Sequence, residues 1–324
     1  MILSVSRRTD IPAFYSEWFF NRVKAGFADV INPFNANKFS RVPINPEIVD
    51  CIVFWTKDAA PMIERLDELK NFKYYFQFSV TPYDEEVEPG LLENQSKKKI
   101  IRTFKNLSET IGKDKVIWRY DPIIYSEKFT ADWHFDQFEF LLKNLAPYTN
   151  RCVISFVDLY KKTQHNTKPL GLIDLTEAKM KEIALGFSQI AEGSGVEIQS
   201  CSEKVDLAEF GIKHGACIDR EIIEHVIGAK LEMKKVKGKD GKDATQRTDC
   251  GCIDSVDIGE YDTCKHLCAY CYANFRPQIA VRNNANHNPK NSSMTRDFSG
   301  EKNVPYIKKA VKLKRTQPTL FGDF

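Results

Sequence analysis

Short runs of β-forming residues alternate with amphipathic helical patterns along most of this chain. The clearest helical pattern lies between Glu177 and Glu192, where apolar residues recur every three or four positions before the stop signal Gly193. Because alternating strands and helices build parallel sheets, the predicted fold class is α/β, with a complete or partial parallel (β/α) barrel of six or eight units. The predicted strands are 2–5, 28–31, 51–55, 73–80, 115–118, 152–157, 196–200 and, more weakly, 253–258.

The composition is typical of a cytosolic protein whose core needs no disulfides. The chain has 324 residues, of which 42% are hydrophobic, and a formal net charge of +3. The charge neither indicates nor excludes a nucleic-acid partner. No apolar run approaches the ~20 residues that span a bilayer, and the amino terminus lacks a secretory pattern. We therefore expect a cytoplasmic protein without membrane contact, in which the cysteines are reduced.

Ionisable residues collect just after the predicted strands. Arg7, Arg8 and Asp10 follow the first strand, and Arg119 and Asp121 follow the fifth. The carboxyl ends of the strands form the reaction face of parallel α/β barrels. We therefore predict that these five residues line a catalytic pocket, where they would contact a phosphate or carboxylate. For part of this pattern the alternative is simply that strands end where polar loops begin.

Three cysteines form a closely spaced triplet late in the chain. Cys264, Cys268 and Cys271 have the spacing C-x₃-C-x₂-C, whereas Cys51 and Cys152 lie in apolar runs typical of buried strands. Three thiolates from one loop can hold three irons of a [4Fe–4S] cluster and leave the fourth iron without a protein ligand. The alternative is structural zinc, which prefers a closed set of four ligands.

This spacing resembles the signature of the radical S-adenosylmethionine (SAM) enzymes, in which the free iron binds SAM and electron transfer yields a 5′-deoxyadenosyl radical. The resemblance implies a [4Fe–4S] cluster, SAM and an electron donor such as flavodoxin or ferredoxin. It places Tyr270 beside the adenine, with Tyr272 and Asn274 also at the cofactor. Residues 272–275 would begin the next helix. Because the loop follows the last strand instead of the first, the barrel would be permuted, with its last strand beside its first.

Four further cysteines in the same region form a candidate second metal site. Four thiolates satisfy either a zinc ion or a fully ligated iron–sulfur cluster. Free cysteines of the core are the alternative. The four are Cys201, Cys217, Cys250 and Cys252.

The chain as a whole resembles the family named domain of unknown function 1848. The resemblance covers nearly the whole chain and implies a radical SAM-like barrel over residues 1–283, with a cysteine-rich cluster region at 201–275. It implies no substrate, and the Gly-Gly-Glu SAM contact of the superfamily is not evident in this sequence. The matching segments are 4–12, 53–57, 119–122, Gln246-Arg247, and 257–259 running into the cysteine loop and 272–274.

Residues 284–324 are predicted to form a flexible basic tail. The segment Gln317-Pro-Thr-Leu320-Phe321 is similar to the Gln-x-x-Leu-Phe peptides by which bacterial DNA repair and replication proteins bind the sliding clamp. The alternative is a terminal strand or helix that packs Leu320 and Phe321 on the barrel. Two functions therefore stay open. The first is a radical SAM enzyme acting on DNA, another nucleic acid, a peptide or a small molecule. The second is a non-catalytic zinc-binding barrel that recruits a partner through its tail.

Overall fold

The computed structural model describes residues 1–92, 96–158, 163–232, 235–236, 239–240, 242–243, 250–301, 304–307 and 314–316. Two segments singled out above, Gln246-Arg247 and Gln317 to Phe321, lie outside the described residues.

Strands and helices alternate over the first two thirds of the chain. The strands are β1 (Ile2–Val5), β2 (Phe27–Asn32), β3 (Asn35–Pro43), β4 (Cys51–Thr56), β5 (Tyr74–Ser79), β6 (Val116–Ile123), β7 (Arg151–Phe156), β8 (Glu197–Cys201), β9 (Lys213–Gly215), β10 (Lys230–Glu232), β11 (Lys235–Val236), β12 (Lys239–Asp240), β13 (Val256–Asp257) and β14 (Lys314–Thr316). The α-helices are α1 (Ile11–Phe14), α2 (Ser16–Ala25), α3 (Ala60–Ile63), α4 (Pro89–Leu92), α5 (Lys97–Ile111), α6 (Ala131–Leu145), α7 (Gln164–Thr167), α8 (Glu177–Ala191), α9 (Arg220–Ile227) and α10 (Pro277–Ala285). Short 3₁₀ helices cover Leu66–Leu69, Lys113–Lys115, Ala146–Tyr148, Lys168–Leu170 and Ala208–Phe210.

Eight parallel strands form the main sheet, in the order β13-β1-β4-β5-β6-β7-β8-β9. This sheet confirms the predicted α/β class. β13 pairs with β1, which is the neighbour relation that the permuted order predicts. The outer strands β13 and β9 do not pair with each other among the described residues, but Ile253 N, just before β13, donates to Ile218 O, just after β9, at 3.1 Å.

Two strands differ from the sequence prediction. The run 28–31 is a strand, but it forms an antiparallel hairpin with β3 instead of joining the main sheet. Only two residues separate β2 from β3, which is too short for the crossover that a parallel neighbour requires. The eighth strand of the main sheet is instead β9, a three-residue strand that carries no apolar run in the sequence.

The two faces of the sheet have different surroundings because side chains alternate along each strand. Phe54, Phe76 and Trp118 belong to the larger apolar core beneath the helices. The opposite, inner face packs against α9 near the amino ends of the strands and becomes polar toward their carboxyl ends. On this face the pairs from amino to carboxyl end are Ile2 and Ser4, Val53 and Trp55, Tyr75 and Gln77, Ile117 and Arg119, and Val153 and Ser155.

Part of the predicted tail packs on the sheet domain. Trp18 Nε1 in α2 donates to Asn291 O at 3.0 Å, and Asp29 N in β2 donates to Ser292 O at 2.8 Å. The predicted boundary at 283/284 lies inside α10, and β14 pairs antiparallel with β10. The helix expected to open at Tyr272 begins at Pro277. No helix in the described ranges has both the length and the apolar character needed to cross a membrane.

Candidate functional site

A cavity of about 320 Å³ opens at the carboxyl ends of the parallel strands. The two cysteine sets, which the sequence analysis treats as separate sites, both line it. All five predicted catalytic residues line it as well. These wall residues are Arg7, Arg8, Asp10, Arg119, Asp121, Cys201, Cys217, Cys250, Cys252, Cys264, Cys268 and Cys271.

The pairing of β13 with β1 brings the cysteine loop to the cavity. Asp257, at the end of β13, accepts hydrogen bonds from Ser4 Oγ at 2.7 Å, Ser6 Oγ at 2.6 Å and Arg7 N at 2.8 Å. The next turn needs a glycine, since a Cβ at Gly259 would lie 2.0 Å from Ser6 Oγ. One carboxylate therefore fixes both the turn after the first strand and the start of the cysteine loop.

Backbone hydrogen bonds hold the cysteine loop over the end of β5. Gly90 N donates to His266 O at 3.0 Å, and Ala269 N donates to Val87 O at 2.9 Å. Asn274 does not line the cavity, as a cofactor contact would. Its side chain is buried, and Nδ2 donates to Cys264 O at 2.7 Å, so Asn274 holds the loop from behind.

The three thiols of the loop share a buried environment. Burial raises the pKa of Cys264, Cys268 and Cys271, and the neighbouring thiols raise it further for Cys264 and Cys268. In the part of the chain that the structure describes, no three His, Cys, Asp or Glu side chains already have the arrangement that holds a metal ion. The fit to an iron–sulfur cluster therefore rests on the donor type and on the common cavity, and a cluster would have to draw the three sulfur atoms together.

A buried ion pair lies next to this loop. Lys57 Nζ donates to Glu88 Oε1 at 2.8 Å, and Thr81 Oγ1 donates to the same oxygen at 2.6 Å. Burial alone would raise the pKa of Glu88, but Lys57 and Lys97 hold it down to about 2. The pKa of Lys57 is raised, because the attraction of Glu88 and Cys268 outweighs burial. The cavity wall beside Cys268 therefore carries an ammonium group.

Sequence reasoning missed this pair as part of the site. Lys57 directly follows β4, so its position after a strand was a usable signal. Glu88 lies nine residues beyond the end of β5 in a segment without a motif, and no sequence signal indicated it.

The two predicted cofactor-binding tyrosines both line the cavity. The Tyr270 hydroxyl donates to Glu88 Oε1, and Lys57 Nζ lies 5.7 Å from the centre of its ring. The Tyr272 side chain is half exposed, and its hydroxyl donates to Arg7 O at 3.1 Å. Tyr270 thus forms part of the inner wall, and Tyr272 stands at the mouth.

The predicted catalytic residues differ in what their side chains contact. Arg7 Nη2 donates to Ser255 Oγ at 3.2 Å, and Arg8 Nη1 donates to Gly259 O at 3.3 Å, so both guanidinium groups lie at the junction with the last strand. Asp10 caps α1 by accepting from Ala13 N at 2.9 Å. It also accepts from Lys57 N at 2.7 Å, and we therefore assign it a positioning role.

Arg119 connects the centre of the sheet to the second cysteine set. Its guanidinium forms an ion pair with Asp121, and Nη1 donates to Gln77 Oε1 at 3.2 Å and to Cys217 Sγ at 2.9 Å. Hydrogen bonds from the thiols of Cys201 and Cys252, together with the Arg119 charge, hold the pKa of Cys217 below its usual range. The second set is therefore a connected group with a cation beside it.

Comparison with known families identifies the chain at the family level. The family model described as domain of unknown function 1848 matches residues 2–273. The chain belongs to this family. The match confirms the predicted 1848-family resemblance and spans the main sheet together with the cysteine loop.

Comparisons with individual proteins add little to the family assignment. No curated protein sequence matches this member of the 1848 family. A putative alpha-L-fucosidase of known structure from Bacteroides thetaiotaomicron is similar at 11% identity, over 72% of this chain and 83% of that chain, with a TM-score of 0.24. A similarity this low carries no argument about fold or activity.

Proposed function

We propose that this 1848-family protein is a radical SAM-type [4Fe–4S] enzyme that generates a 5′-deoxyadenosyl radical. The observation that carries the proposal is the position of the triplet. Cys264, Cys268 and Cys271 line one cavity at the carboxyl ends of a parallel sheet, which is the reaction face of α/β barrels.

The three cysteines of the triplet would hold the cluster. With SAM bound, such a cluster supplies the electron that cleaves the sulfonium to methionine and a 5′-deoxyadenosyl radical. The Lys57 ammonium offsets the negative charge of the thiolates, because it lies in the electrostatic field of Cys268. Glu88 keeps Lys57 in place through their 2.8 Å hydrogen bond.

Aromatic side chains keep water from the inner wall. Tyr83 is fully buried, and its ring contacts that of Tyr270 at 6.1 Å between centres. A dry wall protects a reactive intermediate from side reactions. At the mouth, Arg7 and Arg8 are placed to bind a carboxylate or a phosphate.

We propose a nucleic acid as the substrate class, and a groove next to the cavity supports this. Arg7, Arg8 and Tyr272 line both the cavity and the groove, whose volume is about 1240 Å³. Its wall carries two further exposed aromatic rings, Phe34 at 97% and Phe275 at 46% exposure. Stacked bases and arginine-bound phosphates are how proteins hold single strands.

Carboxylates on the groove wall already have hydrogen-bond donors. Glu260 accepts from Met294 N at 3.0 Å, and Asp262 accepts from Phe275 N at 2.5 Å. Asp257 accepts from Ser4, Ser6 and Arg7. These bonds offset part of the repulsion that the carboxylates would exert on a phosphate backbone.

Anaerobic reconstitution tests the enzymatic proposal. The full chain with dithionite and SAM should release 5′-deoxyadenosine. The variant Cys264→Ala/Cys268→Ala/Cys271→Ala should release none and should hold about four irons fewer. A colourless protein with stoichiometric zinc and no SAM cleavage would contradict the proposal and favour the non-catalytic barrel.

A matched pair of lysine variants tests the inner wall. Lys57→Met should lower the rate of 5′-deoxyadenosine release about 10- to 100-fold, because a charge next to the cluster ligands is lost. Lys265→Met, an exposed position in the same loop, should leave the rate unchanged. Equal rates in the two variants would remove Lys57 from the proposed site.

Binding of a fluorescent single-stranded oligonucleotide tests the substrate class. Phe34→Ala should weaken binding about tenfold, since one stacking contact contributes ~1–3 kcal/mol. Phe140→Ala is the control, because Phe140 lies on α6 and is 50% exposed. If neither substitution changes binding, or if the oligonucleotide does not bind, the nucleic-acid proposal is wrong.

A further inference from the structure

The second cysteine set converges from three separate parts of the chain. Cys201 ends β8, Cys217 follows two residues after β9, and Cys250 and Cys252 lie on the segment that leads into β13. All four line the cavity wall. Chance packing of core cysteines would not be expected to bring four thiols from these segments to one wall.

The four thiols are joined in a linear order by hydrogen bonds. Cys201 Sγ lies 2.7 Å from Cys217 Sγ. Cys217 is in turn hydrogen-bonded to Cys252, and Cys252 to Cys250. The backbone also contributes, because Ile218 N donates to Cys252 Sγ at 3.3 Å. Each thiol of the set thus contacts at least one other.

The backbone around the thiols is held from the inner face of the sheet. Tyr75 hydroxyl and Gln77 Nε2 both donate to Cys217 O at 2.8 Å. Asp243 N donates to Cys252 O at 2.9 Å. Buried side chains of β5 therefore fix the position of Cys217, although Cys217 itself lies on a loop after the opposite edge strand.

A cation that donates to sulfur completes the surroundings. Arg119 Nη1 donates to Cys217 Sγ at 2.9 Å, and the Arg119 side chain is 7% exposed. A buried guanidinium offsets the negative charge of a metal centre with several thiolates. Hydrogen bonds to ligand sulfur are also a known means of adjusting the potential of iron–sulfur clusters.

We propose that Cys201, Cys217, Cys250 and Cys252 ligate a second [4Fe–4S] cluster, which would be fully coordinated by the protein. Four thiolates match the four irons of such a cluster. The thiols face an open cavity, whereas a structural zinc ion is enclosed by its four ligands. A disulfide between Cys201 and Cys217 would leave Cys250 and Cys252 without a role.

This inference does not rest on the proposed radical chemistry. A fully ligated cluster binds no substrate at its irons and serves as a one-electron carrier. Because both cysteine sets line the same cavity, the second cluster would be placed to exchange an electron with whatever molecule occupies that cavity.

Iron content of cysteine variants, purified anaerobically as the full chain, tests the inference. The wild-type chain should hold about eight irons, and Cys264→Ala/Cys268→Ala/Cys271→Ala should keep about four with the electron paramagnetic resonance signal of a reduced [4Fe–4S] cluster. Cys201→Ser/Cys217→Ser should also fall twofold in iron while it keeps the signal of the other cluster. Cys51→Ala, buried in β4 away from the cavity, is the control and should keep all the iron.

Several results would overturn the inference. These are a folded triplet variant that holds no iron, stoichiometric zinc in that variant, or wild-type iron in Cys201→Ser/Cys217→Ser. A second measurement covers variants that fail to fold. In the triplet variant background, Arg119→Lys should change the resonance signal or the midpoint potential of the remaining cluster, and an unchanged signal and potential would contradict the assignment. If the triplet variant keeps four irons while the wild-type chain cleaves no SAM, the second cluster stands and the proposed function fails.

Discussion

His266 Nε2 lies 2.8 Å from Asp10 Oδ2, and both side chains are buried. This contact joins the turn after the first strand to the middle of the cysteine loop. The same carboxyl oxygen accepts from Lys57 N, and the other oxygen caps α1. One side chain thus sets the relative positions of β1, β4 and the cysteine loop.

We expect Asp10→Asn to destabilise the protein by about 1–3 kcal/mol, because an amide cannot accept from both Lys57 N and His266 with its single remaining acceptor oxygen. Urea unfolding measures the change. Asp136→Asn, on the exposed face of α6, is the control and should stay within about 0.5 kcal/mol of the wild type. An unfolding midpoint of Asp10→Asn equal to that of the control would show that the contact is dispensable.

Gly90→Ala should also destabilise the protein, by about 1–3 kcal/mol, and should lower its iron content. A Cβ at position 90 would lie 1.8 Å from Lys265 O, so the cysteine loop would have to move. Gly300→Ala is the matched control, because nothing lies within 4 Å of a Cβ at that position. Thermal unfolding and iron analysis of both variants check the prediction, and similar values for the two would contradict it.

Stability should depend on the ionisation of Glu88. Its pKa is lowered from 4.5 to about 2, so the ionised carboxylate stabilises the fold above about pH 4.5, and this contribution is lost as the pH falls toward 2. Glu88→Gln cannot titrate. We therefore expect it to be less stable than the wild type at pH 7, with a difference that shrinks by about 3 kcal/mol between pH 5 and pH 2.

The free energy of unfolding across that pH range measures the difference. Glu86→Gln, at an exposed carboxylate two residues earlier, should follow the wild-type curve. A Glu88→Gln curve parallel to the wild type would mean that Glu88 is not ionised in the folded protein.

Removal of residues 317–324 should abolish binding to the bacterial sliding clamp, because it removes the Gln-x-x-Leu-Phe peptide. A pull-down with purified clamp checks this. Leu320→Ala/Phe321→Ala should reproduce the loss, and Asp323→Ala should not. Clamp binding that survives the truncation, or that is absent in the intact protein, would remove this part of the DNA argument.

Local patterns predicted much of the main sheet. The helix predicted at 177–192 is α8, and seven of the eight strands of the sheet coincide with predicted runs. The spacing of the triplet and its place after the last strand also led to the pairing of β13 with β1. These features depend on periodicity and on spacing over a few residues, which a single sequence displays directly.

Contacts between distant residues were beyond sequence reasoning. The sequence analysis separated the two cysteine sets, and only the curvature of the sheet brings Cys217 and Cys268 to one cavity. Lys57 and Glu88 are 31 positions apart and have no shared motif. Asn274 shows the opposite error, because its place after the triplet indicated a cofactor contact while its amide holds the loop.

The place of β13 in the sheet also has a consequence for biosynthesis. Seven strands of the main sheet precede β13 in the chain, so the ribosome completes them before Cys264 is made. The wall that receives the cysteine loop can therefore assemble first, and metal loading has to wait for the final part of translation. We expect a nascent chain halted near residue 250 to resist proteolysis over its early strands while it carries no iron at the triplet.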